Sequence, residues 1–189
     1  MDFALYGRGR KHMRTEKGFT LVEILIVVAI ITIAATLAMT NLSSWNRHNN
    51  FVGFQREVFS EIQEARTRAI AMRRQYRLVI DLSAETVLLE RGNAGTGSTS
   101  WSADRSTVSA SAGATLVDVV YSLAGASTTV STSQFTLVFN PAGDAYRWNS
   151  GVITPLDTAN LHLSTDSGET ATIQLFCWTG KARLSVGTI

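Results

Sequence analysis

The chain has 189 residues and a mass of 20.5 kDa, room for one domain with an extension but not for two full domains. Hydrophobic residues make up 45% and charged residues 17%, while two prolines and one cysteine exclude collagen-like, proline-rich and disulfide-stapled classes. The net charge of +2 and pI of 8.9 are unevenly placed: residues 1–18 hold five basic residues (Arg8, Arg10, Lys11, Arg14, Lys17) against Asp2 and Glu16, and the remainder sums to −1. The basicity therefore belongs to the leader and does not by itself point to a nucleic-acid binder. Met13 offers a second possible start within that leader.

From Phe19 to Met39 the only charge is Glu23, and from Ile24 onward there is none. About 20 apolar residues span a bilayer, so this segment is expected to be a membrane helix. The positive-inside rule keeps the basic leader cytoplasmic and sends everything after Asn41 to the far side. The competing reading, a secretory signal peptide, requires an apolar stretch of roughly 7 to 15 residues before a small-residue cleavage site, and this stretch is longer. A carboxylate at Glu23 costs a few kcal/mol in lipid unless partnered. Cleavage after Gly18 would create an α-amino group at Phe19, four positions from that carboxylate. The plainer alternative is a glutamate snorkelling to the interface.

The run Lys17-Gly18-Phe19-Thr20-Leu21-Val22-Glu23 before an apolar segment resembles the class III signal of type IV pilins and type II secretion pseudopilins. The resemblance implies a bacterial inner-membrane protein with a single pass and a periplasmic head. A prepilin peptidase would cut between Gly18 and Phe19 and methylate the new N-terminal Phe19, and Glu23 would act in assembly with other pilin or pseudopilin subunits. No proline interrupts the helix near Thr40, where many pilins kink.

Beyond Thr40 a polar stretch leads to Phe51, Phe54, Val58, Ile62, Ala65, Ala69 and Met72, spaced by threes and fours on one stripe of a second helical segment. Glu57, Glu61, Glu64 and Arg68 fall off that stripe, with Glu64 and Arg68 spaced for an i,i+4 pair. Arg66, Arg68, Arg73, Arg74 and Arg77 gather at the end of the stem and read as a solvated face that suits the helix dipole, with a nucleic-acid patch as the other reading. Residues 47–77 sum to +4 and residues 78–189 to −4, so an electrostatic match between stem and head accounts for the split as well as DNA would.

In the head the period changes from 3.6 to 2. Leu78 to Leu82 and Thr86 to Glu90 read as a hairpin. Gly92 to Ser100 reads as a flexible loop without the lysine and helix start of a phosphate-binding loop. Further strands are expected at Thr115 to Tyr121, Phe135 to Phe139 ended by Asn140-Pro141-Ala142-Gly143, Leu161 to Leu163, Thr170 to Trp178 and Ala182 to Val186, with Ser/Thr-rich intervals such as Ser127 to Ser133 between them. The expectation is an α+β, pilin-like fold: a long N-terminal helix, membrane anchor plus amphipathic half, packed on an antiparallel β-sheet head. Its divisions are residues 1–18 (cleaved leader), 19–40 (transmembrane and assembly helix), 41–75 (amphipathic stem) and 76–189 (head).

The head resembles the FimT/FimU minor pilin and GspH minor pseudopilin branch in Ala65-Arg66-Thr67-Arg68-Ala69-Ile70, in Phe135 to Gly143, and in Gly180-Lys181-Ala182-Arg183. Some FimT-like proteins bind DNA through a basic pair on the final hairpin, which maps onto Lys181 and Arg183. Residues two apart on a strand share a face, so both can meet one phosphate track. Two charges alone supply little affinity, and a solvated strand face is the alternative. No catalytic or metal site is expected: His48 and His162 stand alone, Cys177 reads as core, and Asp166-Ser167-Gly168-Glu169 lacks the full calcium-loop pattern. The expected role is structural, without cofactor, and its partners are the prepilin peptidase, sister subunits, the inner membrane and, in the alternative, DNA.

Overall fold

A computed structural model describes residues 18–111 and 113–187, the side chains of 37–42 excepted. Residues 1–17, which hold most of the expected leader, lie outside the described residues. The chain divides into two compact units between Ser43 and Ser44. Helix α1 runs Leu21–Met72.

In the first unit the helical side chains described, from Leu21 to Thr36, are exposed. Among the described residues no helix is long and apolar enough to cross a membrane. The expected span to Met39 extends past the last of these described side chains.

In the second unit the helix carries the expected stripe: Phe51, Phe54, Val58, Ile62, Ala65 and Ala69 are all buried. Met72 is not, with 62% of its surface exposed. It occupies the last helical position, and Arg73 takes a left-handed φ of 51° that turns the chain out of the helix. Glu61, expected off the stripe, is also buried, and Arg105 of the head reaches it with an Nη1 to Oε1 distance of 2.9 Å. The buried stripe is thus wider than its apolar members.

The head has two antiparallel sheets where one was expected. The first comprises β1 (Tyr76–Asp81), β2 (Thr86–Gly92), β3 (Trp101–Ala103), β4 (Val108–Ser109), β7 (Gln134–Phe139), β8 (Ala145–Asn149) and β9 (Val152–Pro155), in the order β3-β2-β1-β7-β8-β9 with β4 also on β2. The second comprises β5 (Ala114–Leu123), β6 (Ala126–Val130), β10 (Thr158–Thr165), β11 (Thr170–Phe176) and β12 (Lys181–Val186), in the order β12-β11-β10-β5-β6. The helix stripe and the inner faces of both sheets form one apolar core. The fold is α+β, a helix packed on antiparallel sheets, and burial of apolar surface is its main driving force.

Three strands not expected from the sequence, β6, β8 and β9, are paired through tight turns. Ala124 and Gly125, both at positive φ, join β5 to β6 across residues 127–130, which were expected to be an irregular interval. Ser150 and Gly151 do the same for β8 and β9. Such two-residue turns need positive φ at both centres, so an X-Gly dipeptide is their signal. Strand β11 stops at Phe176, and Trp178 lies in the following turn, 73% exposed. Cys177 is fully buried, as expected of a core residue. Its backbone ties the sheets together, donating to Asp157 O (3.0 Å) and accepting from Ala145 N–H (2.8 Å).

Candidate functional site

The sequence singles out two places: the start of α1 and the edge strand β12. Gly18, Phe19 and Thr20 precede the helix in non-helical backbone, and all three are exposed. Helices leave their first N–H groups without internal partners. Here Thr20 Oγ1 accepts from the Glu23 N–H at 3.2 Å, and Thr20 O accepts from the Ile24 N–H at 3.3 Å. Thr20 is therefore the N-cap and Glu23 the third helical residue, the spacing of a capping box. That local role was missed in the sequence reading, although the Thr-x-x-Glu spacing signals it. Glu23 is exposed, in the first turn, where the helix dipole favours a carboxylate.

At the other place, Lys181 and Arg183 are both exposed on β12, with half-buried Ala182 between them. Lys181 lies opposite Phe176 and Arg183 opposite Gln174 on β11. The β11–β12 turn is fastened to the helix by Arg66, whose Nε donates to Thr179 O (2.9 Å) and Gly143 O (3.2 Å). Gln63, Arg66 and Thr67 from the helix, with Gly180, Lys181 and Ala182, line a 190 Å³ cleft there.

The stem arginines do not form the solvated face expected of them. Arg66 is tied to two carbonyls, and Arg68 bonds Glu64 (Nε to Oε1, 2.6 Å) and Asp104. Hydrogen bonding to Glu64 comes first among the causes that raise the Arg68 pKa. Arg77 bonds Glu90. Only Arg73 and Arg74 of the five are exposed. The opposite charges of residues 47–77 and 78–189 meet in part at Arg68–Asp104 and Arg77–Glu90, and His48 Nδ1 lies 3.0 Å from Glu169 Oε1. His48 and His162 do not stand alone, since His162 Nδ1 lies 2.6 Å from Asp118 Oδ1. Burial pushes the Cys177 thiol up to about 12, which suits an inert core residue and not a nucleophile. Among the described residues no group of three or more His, Cys, Asp or Glu side chains is placed to hold a metal.

No curated protein and no solved structure matches the chain. Residues 13–39 match the family described as the prokaryotic N-terminal methylation motif. That motif indicates a type IV pilin-like prepilin, with processing by a prepilin peptidase and assembly with other pilin-like subunits as its implications.

Proposed function

We propose that this chain is the precursor of a minor pilin or pseudopilin of the FimT/FimU–GspH type. The peptidase cuts between Gly18 and Phe19 and methylates Phe19. The mature chain is held in the inner membrane by its apolar helix with the head in the periplasm, and then assembles into, or initiates, a type IV pilus or type II secretion pseudopilus. Its role is mechanical and not catalytic. One observation carries the reading: the methylation motif takes in the first stretch of α1, whose described apolar side chains lie uncovered. Leu21, Ile24, Leu25, Ile26, Ile30 and Ile31 are each at least half exposed. Burying such a side chain is worth about 1.5–3 kcal/mol, so lipid or the helices of sister subunits are the natural cover.

Glu23 has a role in each stage of this reading. Its position in the first turn starts the helix, and in a filament its carboxylate meets the new ammonium of Phe19 on a neighbouring subunit. Mass spectrometry of the protein from cells containing the peptidase is expected to find a chain beginning at N-methylated Phe19. An intact leader there would refute the processing. Glu23→Ala is expected to be processed normally yet to fail in assembly.

A second reading is favoured by Lys181 and Arg183, exposed on one face of an edge strand beside the partly open Phe176. In that reading the head binds DNA during uptake. Neutralising about two phosphates gives a log–log salt slope of only about −1.4 on single strands. Salt-sensitive DNA binding that disappears in the Lys181→Ala, Arg183→Ala double variant would support it, and unmeasurable affinity at moderate salt would remove it.

A further inference from the structure

We propose that the outer face of the first sheet carries a binding site for a neutral saccharide, in the cleft beside Trp101, Arg77 and Trp148. These side chains come from β3, β1 and β8 and are stacked, the Arg77 guanidinium lying 4.5 Å from the Trp101 ring centre and 4.7 Å from that of Trp148. Ser98, Thr99 and Ile153 also line the adjoining cleft of 460 Å³. That volume falls within the roughly 300–1,000 Å³ of small-molecule sites.

The walls are held in place before any ligand arrives. Gln75, 1% exposed, accepts from Ser98 N–H at 2.8 Å and donates to Asn140 Oδ1 at 2.8 Å. Asn93 Oδ1 accepts from Thr99 N–H at 3.1 Å, and Ser98 Oγ donates to Ala94 O at 2.9 Å. The loop expected to be flexible is therefore a fastened wall. Preorganisation of this kind lowers the ordering cost of binding.

The chemistry of the lining selects the ligand class. Among the described residues Arg77 is the only charged one lining the cleft, and Glu90 neutralises it through Nε, so the site has no net demand for an anion. Among the described residues nothing bonds its two Nη amines, which leaves donors for neutral oxygens. The Thr99 hydroxyl adds a further polar group, while two indoles and Ile153 supply flat apolar surface. A pyranose ring with equatorial hydroxyls has this same division, with C–H groups on its faces and oxygens at its rim. Its C–H faces lie on the indole surface that the Arg77 guanidinium leaves open, where ring contacts are favourable, and its rim oxygens meet Arg77 and Thr99. A nucleobase would also stack, and the test separates the two.

The full chain, in a detergent without sugar headgroups, is titrated with cellotriose, a neutral trimer with equatorial hydroxyls, and separately with adenosine, while tryptophan emission is followed. The expected result is a saturable change with the trimer at millimolar concentration. Trp148→Phe should weaken it roughly tenfold and Thr99→Ala roughly fivefold. Thr99 is exposed on the loop, so its variant carries the test even if Trp148→Phe perturbs folding. No saturable change, a change equal in the wild type and the Thr99→Ala variant, or a response to adenosine but not to the trimer would each overturn the proposal.

Discussion

Gly180 lies where two requirements meet. Its φ is +60°, and a Cβ built there would come within 2.0 Å of Gly143 O and 2.8 Å of the Arg66 side chain. Neither neighbour can move freely, because Arg66 is held by both Gly143 O and Thr179 O. Gly180→Ala is therefore expected to cost about 1–3 kcal/mol in urea unfolding, whereas Gly151→Ala, with open space around its Cβ, bears only the strain of its backbone angle. Asp81 supplies a second expectation. Its carboxylate accepts from Ala84 N–H, from the Ser83 hydroxyl and from Ser83 N–H, and these bonds hold it below the ordinary 3.8. A depressed folded value contributes stability above the unfolded value, and that contribution is lost as pH falls through the folded one. The Tm gap between wild type and Asp81→Asn should therefore be full at pH 7 and shrink in acid below pH 3.8. The contacts that make Gly180 consequential come from Gly143 and Arg66, remote in the chain, whereas those of Asp81 are local, to Ser83 and Ala84.

At the scale of the element, the helix stripe was legible because its period is 3.6 and its members are apolar. Its end was not, since Met72 fits the spacing but sits where the chain turns away. The two positions should respond differently to truncation. Ile62→Ala, at 2% exposure, is expected to cost about 2–5 kcal/mol, and Met72→Ala, at 62%, no more than about 0.5 kcal/mol. Equal losses in chemical denaturation would refute this assignment of the buried face. Strands with alternating burial, such as β10 and β11, were found from sequence. Strand β6 was missed because its residues are exposed edge positions of small polar type, which carry no alternation to read.

At the scale of the whole molecule, every residue of the apolar core lies between Phe51 and Cys177, and thus within the second compact unit. A chain beginning at Ser44 is accordingly expected to fold with one cooperative thermal transition. A chain beginning at Gln75 would lose the six buried stripe residues, expose the inner faces of both sheets and aggregate. Calorimetry of the two fragments checks this, and a cooperative transition in the shorter one would show that the helix is dispensable to the core. The first unit follows a different rule, since its described apolar side chains are exposed.

The amino-acid order alone determined the features that are local and one-dimensional. These are the methylation motif over residues 13–39 with its apolar stretch, the helix stripe, and the change of period that announces an antiparallel head. Each depends on neighbours within a turn or two, where composition and spacing suffice. Tertiary structure decided what depends on pairing across distance. It split the head into two sheets, drew Arg66, Arg68 and Arg77 into carbonyl, carboxylate and indole contacts, and left Lys181 and Arg183 open on an edge strand. It also gathered Trp101, Arg77 and Trp148 from three strands into one stack. The physical reason is that a side chain's partners across a sheet are set by register and strand order, and neither quantity is written in the local sequence.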